Sequence, residues 1–367
     1  MSHILFISHA RGIHGAEAVM VQAIKACAAK GARVTVVVPS IVPDEGMEKA
    51  LEGVGAQLMP MPYRAAGISA IRTKLVQLYN IPTLLRLKKY AKREAVDTIY
   101  SNTSITILGA ALTKKTGIRH IWHWHEPVDQ RFGWDDSLKK MYRVLVKEAD
   151  TIVCISRKQQ TEWEQTLGIE LSNAQTIYNP IKRIEVRAKE AHEDVRIGFI
   201  GHFEERKNLP LLVRSFERLY TEYPDSSLWL CGAMGEKDRL YIEQMTNLRA
   251  PAVKILPQTP DVAAFYTSID ILVLPSWCET MPLVVLEAMQ AGVCVLQTER
   301  SGMKEFIDED KESLFFSPDD TEGLFRLLKQ CAEADYRQKI AKAGQQKAIR
   351  LVNNQCFDQQ IQTLLCV

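Results

Sequence analysis

The chain has 367 residues, of which 46% are hydrophobic and 25% are charged, and its formal net charge at pH 7 is +2. This balanced composition excludes disordered and fibrous proteins, and no nucleic-acid partner is expected. Because this length exceeds what one hydrophobic core usually serves, two α/β domains are expected.

The sequence carries no pattern typical of export or of a membrane span. The first predicted strand begins near Ile4, so a cleaved secretory signal is not expected. No apolar run reaches the ~18 residues that a membrane-spanning helix requires. The eight cysteines are scattered without a C-x-x-C pair, which predicts buried thiols rather than disulfides or zinc ligands. These features predict a cytoplasmic protein.

Short runs rich in apolar and β-branched residues alternate with longer helical patterns along the whole chain. This alternation predicts parallel sheets that are covered by helices on both faces. In the first half the predicted strands are Ile4–Ser8, Val34–Pro39, Thr98–Asn102, His120–His125, Thr151–Ser156 and Thr176–Asn179. In the second half they are Arg196–Gly201, Leu228–Gly232, Val253–Pro257, Ile271–Ser276 and Val293–Thr298.

The series of strands restarts near Arg196, after a polar stretch from Lys182 to Asp194 that has the composition of a linker. The sequence therefore predicts two Rossmann-like, doubly wound parallel-sheet domains facing a central cleft, one over residues 1–182 and one over residues 183–354. Residues 355–367 have the pattern of a short amphipathic helix and are expected to join the first domain. Ligands of such sheets bind beyond the carboxyl ends of the strands, so the loops there are candidate sites.

Charge is unevenly distributed along the chain. Residues 1–180 contain 23 Lys and Arg against 16 Asp and Glu, whereas the remainder contains 23 against 28. Part of the positive excess lies in residues 86–93, and the stretch before them is apolar and basic. Residues 68–93 could contact anionic lipid head groups at the inner face of the plasma membrane, or they could form a solvated helix face.

Two regions of the first domain carry candidate functional residues. Residues 8–17 place glycines between the first strand and the first helix, but they lack the G-x-G-x-x-G spacing, which weakens a dehydrogenase interpretation. His123 and His125 lie on the same face of a predicted strand, where two imidazoles could begin a metal site. Packing of His123 against a neighbouring loop is favoured over metal binding. Asn102 and Thr103 end the preceding strand and are expected at the same edge of the sheet.

A strand, a loop and a helix in the second domain carry the strongest chemical signal. Glu279 follows the strand Ile271–Ser276 and precedes a helix whose free N–H groups suit a phosphate. Pro282 suits the first turn of that helix, and Thr280 or a neighbour could cap it. Glu287 lies inside an almost wholly apolar helix, where an ionised carboxylate is costly without a hydrogen-bonding partner. Either glutamate alone could be structural, but together the two indicate a ligand site.

This segment resembles the retaining glycosyltransferases of family 4, which have the GT-B fold. The family commonly reads Pro-Ser, then Glu-Gly-Phe-Gly-Leu and a second Glu-Ala-Met, and residues 275–289 resemble this pattern. The resemblance implies that Glu279 holds donor-sugar hydroxyls and that Glu287 holds the ribose. The other residues that it places at the donor are Thr280, Met281, Pro282 and Leu283. The first three of these depart from Gly-Phe-Gly, which leaves the donor sugar open.

The resemblance extends to the loop after the strand Arg196–Gly201. Lys207 matches a family lysine that neutralises the diphosphate leaving group, whereas His202 stands where the family has an arginine. Either Arg206 or a protonated His202 supplies that charge, or catalysis is weak. His125 is matched to a family histidine near the reacting carbon of the donor. The predicted catalytic residues are Glu279, Lys207 and His125.

In the first domain the resemblance centres on His14-Gly15-Ala16-Glu17, which is similar to a family Gly-Gly-Ala-Glu. It implies that Gly15 lies beside the diphosphate of the donor. The residues assigned to the acceptor side are Gly12, His14, Asn102 and Thr103.

Two further segments of the second domain carry recognisable motifs. Gly302 and Glu305 resemble a Gly-Gly-x-x-Glu loop that borders the sugar pocket in the family. Asp308-Glu309-Asp310 has the Asp-x-Asp form of metal-dependent sugar transferases, but its charged surroundings favour a polar turn.

The resemblance implies transfer of a hexose or an N-acetylhexosamine from a nucleoside-diphosphate sugar to a saccharide or lipid-linked saccharide. It also implies retention of the anomeric configuration, no metal or other cofactor, and a departing phosphate that takes the acceptor proton. A nucleotide-sugar epimerase or a sugar phosphorylase could share the fold, since fold does not fix function. The sequence is also compatible with a small-ligand binding protein or with a catalytically weak relative of the transferases.

Overall fold

The computed structural model describes residues 2–41, 44–66, 69–128, 134–189, 192–233 and 252–366, and elements are numbered over these residues. The chain divides into two compact units. The first comprises Met1–Pro180 and Cys356–Val367, and the second comprises Ile181–Gln355.

The first unit contains a parallel sheet and the helices that connect its strands. Its strands are β1 His3–Ile7, β2 Arg33–Pro39, β3 Gln57–Met61, β4 Thr98–Asn102, β5 Arg119–Trp124, β6 Thr151–Cys154 and β7 Ala174–Thr176. Its helices are α1 Gly15–Ala29, α2 Gly46–Leu51, α3 Ala70–Tyr79, α4 Ile81–Arg93, α5 Leu108–Thr116, α6 Asp136–Leu145, α7 Arg157–Leu167 and α13 Phe357–Leu365. The strand order β3-β2-β1-β4-β5-β6-β7 reverses between β1 and β4, the point at which doubly wound sheets bind ligands.

The second unit repeats this architecture. Its strands are β8 Val195–Ile200, β9 Ser226–Gly232, β10 Val253–Pro257, β11 Ile271–Leu274, β12 Cys294–Thr298 and β13 Leu314–Phe316. Its helices are α8 Leu209–Glu222, α9 Val262–Thr267, α10 Leu283–Gln290, α11 Thr321–Ala332 and α12 Ala334–Asn353. The order β10-β9-β8-β11-β12-β13 reverses between β8 and β11, so the loops after these two strands start side by side.

Local sequence accounts for these elements. Every residue of β1, β11 and β12 is buried, as expected of central parallel strands that are covered on both faces. Several helices have a side chain that caps their N-terminus. At the start of α6, for example, Asp135 Oδ1 accepts from the N–H of Leu138 at 2.7 Å. The prediction of two doubly wound parallel sheets is confirmed.

Two edge strands, β3 and β13, escaped prediction. Residue 60 of β3 is a proline, which cannot donate to a sheet ladder and is tolerated only at an edge such as this one. Strand β13 has only three residues, which is too short for a pattern to emerge. The predicted strand Thr176–Asn179 is displaced, because regular pairing there ends at Thr176.

The C-terminal helix α13 packs against α1 in the first unit. Its Phe357 and Ile361 are buried in the same core cluster as Ile24 of α1. Gln362 Nε2 also donates to Ala26 O at 2.9 Å.

The structure bears on two expectations from the sequence, the burial of the cysteines and the lack of membrane-spanning helices. Six of the cysteines are buried, but Cys356 is exposed and Cys366 is half-buried, so the expectation of buried thiols is wrong for Cys356. Across the described ranges, no helix has both the length and the apolar character needed to cross a bilayer.

Candidate functional site

Glu279 lies in the loop between β11 and α10, and a second loop holds its backbone. The Glu279 N–H donates to Arg300 O at 3.4 Å, and the Gly302 N–H donates to Glu279 O at 3.0 Å. Glu279 and Ser301 form a parallel bridge. The two loops therefore prolong the pairing of β11 with β12 and fix Glu279 beyond the carboxyl edge of the sheet.

Two cationic side chains converge on the buried Glu279 carboxylate. Lys207 Nζ donates to Glu279 Oε1 at 2.7 Å, and Arg206 Nη1 lies 3.3 Å from the same oxygen. Both cations come from the loop after β8. Burial alone would raise the pKa of the Glu279 carboxyl, but the charges of Lys207 and Arg206 lower this pKa to about 2. Glu279 is therefore ionised at neutral pH.

Arg206 and His202, the two candidates for the cation beside Lys207, occupy different places. Arg206 Nη1 also donates to Cys278 O at 3.2 Å, so its side chain is tied to the loop that carries Glu279. His202 is exposed and lines a separate pocket. Of the two residues, Arg206 is the one that shares the carboxylate of Glu279 with Lys207.

A pocket of about 150 Å³ lies among the loops that follow β8, β9 and β10. Gly201, His202, Gly232 and Glu287 contribute to its walls. Gly201 and Gly232 are in direct contact, and a Cβ atom at position 232 would lie 1.8 Å from Gly201 O. Only glycine therefore permits this close approach of the two loops.

Glu287 has the hydrogen-bonding partner that its place in an apolar helix requires. The hydroxyl of Tyr266, on α9, donates to Glu287 Oε2 at 2.9 Å. Burial raises the pKa of Glu287, although this hydrogen bond and the charge of Lys182 act to lower it. Glu287 thus presents a partly desolvated carboxyl group, bound by Tyr266, at the wall of the pocket.

The residues between Glu279 and α10 are packed into the unit. Thr280, Met281 and Pro282 are buried, and Leu283 begins the helix. Pro282, rather than Thr280, is the N-cap residue of this helix, and it provides no side-chain capping hydrogen bond. The role of these four residues in donor binding stays a prediction.

The two remaining sequence motifs of this unit differ in location. Gly302 is buried and hydrogen-bonded to Glu279, as described above, and it begins a 3₁₀ turn over Gly302–Glu305. The Asp308-Glu309-Asp310 segment forms a polar turn, in which the Asp310 N–H donates to Ser313 O at 3.1 Å. The expected turn at this segment is confirmed.

In the first unit, a network of polar contacts joins the ends of β1, β4 and β5. Oε1 of the fully buried Glu17 of α1 lies 2.9 Å from His9 Nδ1 and accepts from Asn102 Nδ2 at 3.4 Å. Asn102 Oδ1 lies 3.0 Å from His125 Nε2, which donates to it. His9, Glu17, Asn102 and His125 therefore form one connected network at the carboxyl edge of the sheet.

The network shifts the pKa values of its two histidines in opposite directions. Burial alone would lower the pKa of His9, but the adjacent Glu17 carboxylate raises it. In turn His9 lowers the pKa of Glu17 against the effect of burial. By contrast, burial lowers the pKa of His125 to about 4, although Glu126 and Glu17 oppose this. His125 is therefore a neutral imidazole at pH 7.

His123 and Thr103 support this arrangement. His123 is buried with its ring centroid 4.1 Å from that of His125, so their predicted placement on one face is confirmed. Its Nδ1 pairs with the hydroxyl of Tyr100 on the adjacent strand β4. Thr103, at a φ of 76°, donates its N–H to His123 O at 2.7 Å. The described residues contain no cluster of three or more acidic, histidine or cysteine side chains that could hold a metal ion.

The glycine loop after β1 contains both packed and open positions. A Cβ atom at Gly12 would lie 2.4 Å from a carboxylate oxygen of Asp44, an exposed side chain that can move away from it. His14 and Gly15 are exposed, and among the described residues nothing lies within 4 Å of a Cβ built at Gly15. The predicted ligand roles of Gly12, His14 and Gly15 stay predictions.

Sequence reasoning assigned no role to His9, Glu17 or Tyr266. Glu17 carried a usable signal, because it is an acidic residue among the apolar residues of α1, as Glu287 is in α10. His9 and Tyr266 carried none, because each meets its glutamate only through tertiary packing.

Two family models match consecutive parts of the chain. The model described as Glycosyltransferase Family 4 matches residues 13–183, and the model described as Glycosyl transferases group 1 matches residues 180–347. The chain belongs to the group 1 glycosyltransferases of the family 4 type. The boundary between the two matches falls where the two structural units divide.

Similar proteins include enzymes and a nucleotide-sugar complex. The glycosyltransferase is 25% identical over 250 residues to an uncharacterized glycosyltransferase of Haemophilus influenzae, covering 66% of this chain and 69% of the relative. It is 25% identical over 262 residues to the N-acetyl-α-D-glucosaminyl L-malate synthase of Bacillus anthracis, covering 67% and 68%. Its fold is similar to that of Anabaena HepE in complex with UDP-glucose, with a TM-score of 0.78 and 20% identity over 100% of both chains. This likeness confirms the GT-B fold.

Five of the predicted donor residues of the glycosyltransferase lie beyond one edge of the second sheet, in two groups. Glu279, Lys207 and Arg206 form an ionic cluster after β8 and β11. Glu287 and His202 line the pocket. Both groups flank the reversal of strand order, where sheets of this topology bind ligands.

Proposed function

We propose that this glycosyltransferase moves a hexose or an N-acetylhexosamine from a nucleoside-diphosphate sugar to a saccharide or lipid-linked saccharide, with retention, in bacterial polysaccharide or glycolipid assembly. The observation that carries the proposal is the convergence of Lys207 and Arg206 on the buried Glu279 carboxylate. The UDP-glucose bound by HepE and the N-acetylglucosaminyl group in the name of the Bacillus relative support such donors.

Lys207 and Arg206 would stabilise the leaving group. Breaking the bond between sugar and diphosphate leaves negative charge on the phosphate, and these two cations exceed the single buried carboxylate of Glu279 by one positive charge. The exposed Glu204, which accepts from Arg206 at 2.7 Å, offsets this charge only weakly because water screens it. Removing one such contact at a transition state costs roughly 3 kcal/mol. This mechanism requires no metal ion.

The two glutamates would recognise different parts of the donor. Glu279 remains ionised and acts only as a hydrogen-bond acceptor, which suits sugar hydroxyls. Glu287 would hold the ribose hydroxyls in the pocket, with Tyr266 fixing the carboxyl group from behind. Arg206 would take the place of the arginine that the family has at position 202.

His125 would contact the donor near the reacting carbon as a neutral group. Its Nε2 proton is directed to Asn102, so Nδ1 is the ring atom that can accept a hydrogen bond. The departing phosphate would take the acceptor proton, and no residue is assigned as a general base.

Protection from thermal unfolding by a panel of UDP-, GDP-, ADP- and dTDP-sugars tests the proposal. At least one nucleotide sugar is expected to raise Tm, because a ligand that binds only the folded state stabilises it, and EDTA should leave this rise unchanged. Lys207→Ala should abolish the protection, whereas Lys329→Ala, at an exposed site in the same unit, should retain it. If no nucleotide sugar protects the wild-type chain, the proposal is wrong.

The variant His202→Arg separates the two candidate cations. If Arg206 supplies the charge, the variant should differ little from the wild type in turnover of the protecting nucleotide sugar. A large gain in turnover would show instead that the native site is compromised by His202.

A further inference from the structure

Helices α3 and α4 carry a concentrated apolar surface. In α3, Ile71, Leu75 and Leu78 expose 75, 61 and 63% of their surface, and their i, i+4, i+7 spacing places them on one face. Helix α4 adds Ile81 and Leu85, which are also exposed. Residues 71–85 contain six of the eleven exposed large hydrophobic residues in the described part of the chain. Such clustering is unusual for a surface that meets only water.

Positive charge surrounds this apolar stripe. Residues 69–93 contain seven Lys and Arg residues and no Asp or Glu. All seven are exposed, and they are Arg72, Lys74, Arg86, Lys88, Lys89, Lys92 and Arg93. Along α4 the line that begins at Ile81 and Leu85 continues at helical spacing into Lys88, Lys89 and Lys92. The exposed side chains of residues 71–93 are called the α3–α4 surface below.

The fold holds the α3–α4 surface outward. Leu84 and Leu87 on the other side of α4 are buried in the core of the first unit. The joint between α3 and α4 is fixed by Asn80, whose side chain accepts from Arg64 N at 3.0 Å and donates to Arg64 O at 2.9 Å. The exposed apolar residues therefore cannot turn inward without breaking these contacts.

We propose that the α3–α4 surface docks this glycosyltransferase on an anionic lipid bilayer. Ile71, Leu75 and Leu78 would enter the boundary between head groups and acyl chains, and Lys88 and Lys89 would contact lipid phosphates. An apolar stripe with lysines and arginines around it is the pattern of a helix that lies in the membrane interface. Each cation near an anionic surface strengthens binding about fivefold.

The charge of the α3–α4 surface argues against a second copy of the chain as the partner that covers it. A two-fold interface would place the same surface on both partners, so seven positive charges would oppose seven. An anionic bilayer supplies both the apolar medium and the negative charge that this surface lacks.

The position of the α3–α4 surface fits the proposed acceptor. Helix α3 follows the carboxyl end of β3, at the sheet edge where Asn102 and His125 also lie. The N–H of Ala66, before α3, donates to Ile105 O, in the loop after β4, at 2.8 Å. A docked bilayer would therefore present a lipid-linked saccharide near this edge. That consequence rests on the proposed function, whereas the docking itself does not.

Flotation of the full chain with vesicles tests the docking. The wild type should bind vesicles of phosphatidylcholine and phosphatidylglycerol, bind vesicles of phosphatidylcholine alone far less, and dissociate as salt is raised. Lys88→Ala with Lys89→Ala should weaken binding about 30-fold. The control pair Lys25→Ala and Lys30→Ala, exposed in the same unit, should bind as the wild type does.

A second variant, Ile71→Ser with Leu75→Ser and Leu78→Ser, tests the apolar stripe. It should also lose vesicle binding, with an unchanged Tm and unchanged protection by nucleotide sugars, because the substituted side chains are exposed. Equal binding of both vesicle types, or no binding by the wild type, would overturn the docking. A wild-type dimer that this variant dissociates, without vesicle binding by either, would show a second copy as the occupant and would also overturn it. Protection by nucleotide sugars reports separately on the proposed function.

Discussion

Removal of Lys207 should show how much the ionic cluster around Glu279 contributes to the free energy of unfolding. The carboxyl pKa is lowered from 4.5 to about 2, which corresponds to about 3 kcal/mol, because each pKa unit is worth about 1.4 kcal/mol. Lys207 makes the shorter contact, at 2.7 Å against 3.3 Å for Arg206, so we assign it the larger part, about 2 kcal/mol. Lys207→Met should therefore destabilise the second unit by about that amount at pH 7.

The lowered pKa of Glu279 also determines how this loss of stability depends on pH. Because the folded-state pKa of Glu279 lies below its ordinary value, the stabilisation is fully present above pH 4.5 and is lost as the pH falls toward 2. Without Lys207 the pKa of Glu279 should rise part of the way from about 2 toward 4.5. The wild type and Lys207→Met should thus differ most at neutral pH and converge in acid.

A double-mutant cycle measures the pair itself. Urea unfolding of Lys207→Met, Glu279→Gln and the double variant should give a coupling energy of about 2 kcal/mol at pH 7. The matched control is Lys329 with Glu222, an exposed pair at 2.6 Å in the same unit, whose coupling should be much smaller. A Lys207–Glu279 coupling no larger than that of the control, or one that persists unchanged in acid, would refute the reasoning.

Three further results are expected. Gly232→Ala should destabilise the second unit and abolish protection by nucleotide sugars, since its Cβ would lie 1.8 Å from Gly201 O, and thermal unfolding tests both effects. Glu17→Gln should lower the pKa of His9, because burial remains while the raising charge is lost, and an NMR titration that shows an unchanged His9 would contradict this. His125, whose pKa falls from 6.5 to about 4 on burial, should make the first unit lose stability as pH falls through that window, because the unfolded state binds the proton more readily. Urea unfolding of His125→Asn should show a weaker acid dependence.

The sheets were predictable because their strands are continuous apolar runs between helical patterns. Ile271–Leu274 needed no tertiary information to identify. Strand β3 was not predictable in this way, because its proline is acceptable only at the sheet edge that the fold provides. Edge position depends on the order of strands, which a local pattern does not contain.

The site was predictable where a residue conflicts with its local surroundings. Glu287 in an apolar helix required a hydrogen-bonding partner, and Tyr266 supplies one. That partner could not be named in advance, because α9 meets α10 only through packing. For the same reason the sequence left Arg206 and His202 as equal candidates, and only the contact of Arg206 with Glu279 distinguishes them.

The central claim is that the chain transfers a sugar from a nucleotide donor. We would follow by ³¹P NMR the nucleotide sugar that best protects the chain from unfolding, and compare the wild type with Lys207→Ala. The account predicts slow release of the nucleoside diphosphate by the wild type, faster with a saccharide acceptor, and its loss in the variant. A donor that comes back epimerised, that yields sugar phosphate, or that stays intact with every acceptor would contradict it.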